Sequence, residues 1–394
     1  MEPDNSSAPA ASVAGVAAAR RSGRGLALTT DGCTLTIRSC DRSPHSAVAP
    51  NTMTQTDKTG EQIATWVRAD KTRPYCTRPW RQATVLSDGT AVCACVDAAK
   101  TNPLGNFRFQ TFDEVWNGKG YENLRRAIAT DIDTVPICVG CPNRIDEPAP
   151  PADYMTGVQK PRVLFLESYA GCNLACPGCN REAIEGSRTE LAMGMDTYRK
   201  IIDSLSPTLQ YMEFHLGGEN YMHKEAHEMV RYCRDQNPDC FILSSTNGHF
   251  FHTAERCQKV LDSGIDALIF SVDGARQETY EKYRVNGRFD RVLDSMRMLV
   301  RMRNEQGKKH PLVIWRYILF EWNDSPAEMD LGRRLAKEVG VDHFAWHLNG
   351  VSIMNSSKRY YIGSPHLIEI KDELWDTLPS RVSEGPHLDF RHYR

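Results

Sequence analysis

From residue 159 to 355 the chain alternates short apolar runs with longer amphipathic stretches, and this alternation limits the fold more than any other feature. Strand candidates lie at 163–166, 212–216, 241–243, 267–272, 312–319 and 343–347. Between them, helical periodicity runs near 195–205, 223–236, 253–263, 289–304 and 326–339, often with Asp, Ser or Thr at the start. Six βα-type repeats predict an α/β fold, with a parallel sheet or a partial (β/α)6 TIM-like barrel.

Unusual residues cluster at the ends of the strand candidates. The first is followed by "GCNLACPGCNRE", with Cys172, Cys176 and Cys179 inside eight residues. The second is followed by Gly217, Gly218 and Glu219, the third by Thr246, Asn247 and Gly248, and the fourth ends on Ser271, Val272, Asp273 and Gly274. In (β/α) barrels the C-terminal strand ends form one mouth, so these four loops converge. A thiol triplet with a distant histidine would suit structural zinc. On a four-iron cluster, three thiolates instead leave one iron open to an outside ligand.

Cys-x3-Cys-x2-Cys after a first strand, followed by GGE, TNG and SxDG, resembles the radical S-adenosylmethionine (SAM) superfamily over about residues 160–350. The resemblance implies that Cys172, Cys176 and Cys179 hold a [4Fe-4S] cluster whose open iron is chelated by SAM. It also implies that Gly217 and Gly218 let backbone approach the methionine part, while Glu219 accepts from its ammonium group. Asn247, Ser271 and Asp273 are expected near the ribose, and Arg284, in "YEKYRVNGRFD", near the SAM carboxylate. The residue before the third cysteine is commonly aromatic in the family; here it is Gly178, so adenine contacts come from elsewhere.

Ahead of the barrel lies a compact segment with "SDG" as a hairpin turn and a helix at "TFDEVWNGKGYENLRRAI". Cys76, Cys93 or Cys95, Cys138 and Cys141 supply four thiolates, and spacing alone does not choose between zinc and an iron-sulfur cluster. The segment resembles the SPASM/twitch module of radical SAM enzymes, implying one auxiliary [4Fe-4S] cluster. Alignment on Val96 and Asp97 favours Cys95 over Cys93 as its hairpin ligand. Trp80 and Trp116 are expected in the core of the module.

These features divide the chain into a disordered tail at 1–59, an auxiliary domain at 60–145 and a Pro-rich linker at 146–158. A radical SAM core at 159–355 and an extension at 356–394 complete it, the latter with an amphipathic helix candidate, "HLIEIKDELWDTL". Met53 is a second candidate start. A net charge of -2 gives no field for nucleic acid, and no apolar stretch reaches membrane-span length. A cytoplasmic protein is expected, and Cys233, Cys240 and Cys257, each isolated in an apolar pattern, are expected in the core.

The resemblance implies reductive cleavage of SAM and hydrogen abstraction from a substrate, with an electron donor such as flavodoxin or ferredoxin. An auxiliary cluster favours an oxidative outcome on a peptide, sugar or other small molecule. The alternative is an iron-sulfur or zinc-binding structural module on a degenerate radical SAM fold. Arg316, Glu321, Trp322, Asn323, His343 and His347 follow or line the last two strand candidates, and about half should face the barrel interior.

Overall fold

The computed structural model describes residues 53–56, 62–65, 74–94, 97–141, 144, 159–349 and 355–375. Strands β1 (Met53–Thr56) and β2 (Gln62–Thr65) pair antiparallel. The expected tail boundary at residue 59 lies outside the described residues. The rest of 1–59 and the expected linker at 146–158 lie outside the described residues.

The auxiliary segment contains α1 (Arg78–Arg81), β3 (Gln82–Val85), β4 (Thr90–Val92), β5 (Gly105–Asn106), α2 (Phe112–Trp116) and α3 (Lys119–Asp131). Thr111 and Glu114 form a capping box at the start of α2, satisfying two N-terminal amides. Trp80 and Trp116 are buried in the core, as their size requires in so small a unit.

The barrel follows as β6 (Val163–Leu166), α4 (Arg181–Ser187), α5 (Met195–Leu205), β7 (Tyr211–Glu213), α6 (Ala226–Gln236) and β8 (Phe241–Thr246). It continues through α7 (Ala254–Ser263), β9 (Ala267–Ser271), α8 (Gln277–Tyr280), α9 (Phe289–Glu305), β10 (Leu312–Leu319), α10 (Pro326–Val339) and β11 (His343–Leu348). All nine strands from β3 onward share one sheet, in the order β11-β10-β9-β8-β7-β6-β3-β4-β5. Strands β6 to β11 run parallel, and β3 joins parallel to β6 with Gln82 beside Val163 and Val85 beside Leu166. The auxiliary hairpin is thus an extension of the barrel sheet at its first strand.

Both faces of the parallel strands are buried, as crossover helices demand. Outward residues such as Leu164, Met212, Ile242, Phe270 and Trp315 join the apolar faces of the helices, along with Cys233, Cys240 and Cys257. Inward residues form a second cluster that includes Phe165, Tyr211, Phe241, Leu243, Ile269 and Ile314. Among the described residues no helix is long and apolar enough to cross a membrane.

The helix expected at 366–378 is not present over its described part. Residues Pro365–Glu369 and Lys371–Glu373 form two 3-10 turns instead. Ile370 leaves helical geometry between them, which lets Leu374 bridge to Trp346 alongside β11. Docking of Ile370 and Leu374 into the core outweighs the helical periodicity.

Candidate functional site

The loop after β6 carries the three thiols, and backbone bonds fix it to its neighbours. Ala175 N donates to Val285 O at 3.1 Å, and Glu219 N to Gly171 O at 2.8 Å. Cys172 and Cys176 are half-buried and Cys179 is exposed. Donors are aimed at the sulfurs: Leu174 N at 3.4 Å and Asn247 Nδ2 at 3.7 Å from Cys172 Sγ, and Arg284 Nη1 at 3.7 Å from Cys176 Sγ. Burial pushes the Cys172 thiol up to about 11, with Glu219 and the other two thiols adding to the effect. Three thiols on one loop, two of them with cationic or amide donors facing their sulfurs, suit a cluster-bound thiolate set, since positive iron reverses that penalty.

The four strand-end loops do converge, yet several of their side chains are already committed. Gly218 adopts φ of +68°, and a Cβ there would lie 2.3 Å from the Tyr169 carbonyl oxygen. A Cβ on Gly217 would lie 2.8 Å from Glu167 Oε2. The paired glycines are therefore required by the packing of the chain itself. Glu219 is buried, accepting from Thr246 Oγ1 and from Asn247 N, both at 2.7 Å. Burial raises its pKa against those donors, and a carboxylate has acceptor capacity left for a cation.

Asn247 Nδ2 also reaches Asn173 Oδ1 at 2.8 Å, so this side chain ties the TNG loop to the thiol loop. Both oxygens of fully buried Asp273 are taken, one by Arg284 Nε at 2.6 Å and one by Ile318 N at 2.7 Å. Burial alone would weaken the Arg284 charge, but Asp273 and Cys176 outweigh it and hold the guanidinium well above its ordinary value. Ser271 Oγ lies 3.2 Å from Ser245 Oγ and accepts from Arg316 Nη2 at 2.8 Å. Of the last two strands' candidates, Arg316, His343 and His347 share the inward register. Trp322 stacks on Phe320 at 4.7 Å, Glu321 pairs with Lys358, and buried Asn323 donates to Asp273 O and Ile318 O.

Two groups central to this architecture carry no motif. Glu167 and Arg188 form an ion pair with both side chains fully buried, discussed below. His249 is buried behind the TNG loop, its Nε2 accepting from Arg288 N at 2.9 Å and its Nδ1 lying 3.0 Å from Asn247 Oδ1. The ring is neutral, because burial pushes its pKa down from 6.5 to about 4. Between those values the unfolded chain takes up a proton that the folded chain refuses, so the stabilisation present above pH 6.5 fades as pH falls towards 4. Lowering the pH from 7 to 5 should cost about 2 kcal/mol through this residue. Denaturant midpoints of wild type and His249→Gln at the two pH values measure it; equal pH dependence in both proteins would refute the assignment.

In the auxiliary segment, Cys76, Cys93, Cys138 and Cys141 line one pocket together with Arg78, Ala94, Ile128, Ile132, Ile137 and Arg144. Burial pushes Cys76 up to about 11 and Cys138 to about 12, and raises Cys93 strongly, each with a further contribution from neighbouring thiols. Cys95 lies outside the described residues. Among the described residues no three His, Cys, Asp or Glu side chains converge as a single metal ion would need. The four thiols line one pocket, a donor set that suits zinc or a fully ligated cluster alike. Cys76, Cys93 and Cys138 belong to the core cluster on the helix-covered face of the sheet and not to the inward one.

The sequence model of the radical SAM superfamily matches residues 166–318, and that of the SPASM iron-sulfur cluster-binding domain matches 76–142. The AdoMet-dependent heme synthase of Methanosarcina barkeri is 31% identical over 140 residues, 35% of this chain and 39% of that protein. The GTP 3',8-cyclase of Limosilactobacillus fermentum is 22% identical over 210 residues, 45% of this chain and 62% of that protein. The chain thus spans about two fifths to three fifths of these relatives. SuiB of Streptococcus suis bound to S-adenosylmethionine is similar with a TM-score of 0.42 at 16% identity, covering 59% of this chain and 52% of that one. A radical SAM domain implies a [4Fe-4S] cluster and SAM, and a SPASM domain implies auxiliary iron-sulfur ligation. Both models match in turn along the sequence, so the chain carries a radical SAM domain with a SPASM domain ahead of it.

Proposed function

We propose that the protein is a radical SAM enzyme that abstracts hydrogen from an organic substrate and carries out an oxidative modification. The observation that carries this reading is the mouth of the barrel. Three thiols lie on one loop with Asn247 and Arg284 aimed at the sulfurs of Cys172 and Cys176, beside a buried carboxylate, Glu219, that makes no ion pair among the described residues. When bound, the cluster and SAM supply reductive cleavage to methionine and a 5'-deoxyadenosyl radical, the chemistry being the cofactor's.

The chain's own part is to hold and exclude. Cys172, Cys176 and Cys179 are the cluster ligands, and Glu219 accepts from the SAM ammonium with the lone pairs that Thr246 and Asn247 leave free. Arg284 is fixed by Asp273 through Nε and faces Cys176 through Nη1, so Nη2 would be the nitrogen that reaches a carboxylate while the charge is preserved. Ser271, on the inward register, would face the ribose, and Asp273 and Asn247 would act through the loops they tie. Cys76, Cys93, Cys138 and Cys141 hold the auxiliary cluster, with Cys93 taking the place that sequence alignment favoured for Cys95.

The auxiliary site lies behind the sheet from the barrel interior, which supports an electron-accepting role over direct binding of substrate. A flavodoxin or ferredoxin in the cytoplasm is the expected donor. The relatives' names include a heme synthase and a GTP cyclase, and so broad a range on one fold leaves the substrate to the interior residues.

Anaerobic reconstitution with iron and sulfide should give brown protein with about eight irons per chain from two four-iron clusters. Under reduction it should convert SAM to 5'-deoxyadenosine. Zinc in place of iron, or loaded protein that forms no deoxyadenosine, would overturn the reading.

A further inference from the structure

The barrel interior has two layers. The lower one is closed by Phe165, Tyr211, Phe241, Leu243, Ile269 and Ile314, each under a tenth exposed. Towards the C-terminal strand ends the inward residues are half-buried and polar: Glu213, Ser245, Arg316 and His347. Arg316 stands in register between Ser271 of β9 and Ala345 of β11, two residues above Ile314 on the same face.

Its guanidinium is incompletely satisfied. Nη2 donates to Ser271 Oγ at 2.8 Å, whereas Nε is buried without an acceptor. Among the described residues Arg316 has no ion pair, although Arg188, Arg284 and Arg303 each have one. The acidic groups that face it are engaged elsewhere, Glu213 with His215 at 3.1 Å and Asp273 with Arg284. The remaining charged or titratable neighbours, Arg284 and Tyr283, cannot neutralise it as they stand. His347, also inward, is kept neutral by burial and by Arg316. The guanidinium lies 5.5 Å from the Trp375 ring centre, and Trp375 packs on the apolar layer.

A buried charge with an unmet donor is costly unless a partner arrives. We infer that Arg316 anchors a carboxylate of the substrate, whose apolar or aromatic body lies against Trp375 and the closed layer below. A planar carboxylate matches one guanidinium edge, whereas a phosphate would call for further charged donors, and beside Arg316 this layer offers serine hydroxyls and the neutral His347 ring. The inference rests on the radical SAM reading, which puts the substrate in this interior.

The test uses iron-loaded protein with SAM, unreduced, and calorimetric titration of phenylacetate, 3-phenylpropionate and indole-3-acetate against their amides. At least one acid should bind tenfold or more tightly than its amide. Arg316→Gln should bring that acid down to the affinity of the amide, and Arg316→Lys should fall between. The amide's affinity serves as control that the interior remains folded. No acid preference in wild type, a preference that survives in Arg316→Gln, or phenyl phosphate binding more tightly than every acid would each overturn the inference. Deoxyadenosine formation is followed in the same wild-type preparation: its absence would sink the enzymatic reading, while the acid-to-amide comparison still reports on Arg316.

Discussion

Replacing Cys176 with alanine is expected to abolish deoxyadenosine formation, a loss of about three orders of magnitude or more, while iron falls from about eight to about four per chain. Two thiolates remain in the triplet, and neither can substitute for the ligand to which Arg284 donates. The loop itself should survive, because Ala175 and Glu219 fix it through backbone bonds that do not involve the Cys176 side chain. Far-ultraviolet circular dichroism should therefore match wild type, and the remaining iron should show the spectrum of the auxiliary cluster alone. Cys138→Ala is the complementary variant, expected to lose the other four irons and to keep the SAM-binding cluster. Deoxyadenosine formation at the wild-type rate in Cys176→Ala would sink the assignment of the triplet.

The contrast between these two sites shows which parts of the molecule were legible in the sequence. Six strands could be read because parallel strands buried on both faces leave short continuous apolar runs between amphipathic helices. The strand-end loops could be read because glycines, acids and thiols at four successive ends have no shared explanation other than one mouth. Cys93 and Cys95 could not be separated, since positions two residues apart share a face in an extended chain. Cys93 lines the auxiliary pocket with Cys76, Cys138 and Cys141, an arrangement that spacing does not show, while Cys95 lies outside the described residues. Asp273 accepts from Arg284 and from the Ile318 amide, partners 11 and 45 residues away, ties that the sequence pattern does not show. The 3-10 turns at 365–373 replaced an expected helix because the docking of Ile370 and Leu374 is not written in their spacing. Glu167 and Arg188 gave no signal either, since an isolated acid and an isolated base read as surface residues until the fold encloses them.

That enclosed pair carries the second large expected effect. Glu167 Oε1 accepts from Arg188 Nε at 2.6 Å and from Ser87 N at 3.2 Å, while Oε2 accepts from Arg188 Nη2 at 2.9 Å and Gly217 N at 3.2 Å. One carboxylate thus joins the auxiliary hairpin, the thiol-bearing strand and the paired-glycine loop. Glu167→Ala leaves a buried guanidinium without its counter-charge and should destabilise the protein by about 3–5 kcal/mol. Arg188→Met should cost a similar amount by leaving the carboxylate unpaired, with two amide donors as partial compensation. The double variant Glu167→Leu, Arg188→Met removes both charges and should cost less than the two single changes together, by about 2 kcal/mol or more. It should not return to wild type, because the Ser87 and Gly217 amides lose their acceptor at about 1–3 kcal/mol each. Denaturant midpoints of cluster-loaded protein under nitrogen give the cycle, and strict additivity of the two single changes would show that the ion pair contributes nothing. Hydrogen exchange supplies the structural half of the test. Glu167→Ala should speed exchange at both Ser87 and Gly217, one on each domain, whereas faster exchange at only one of them would mean that Glu167 does not couple the auxiliary hairpin to the SAM-binding loop.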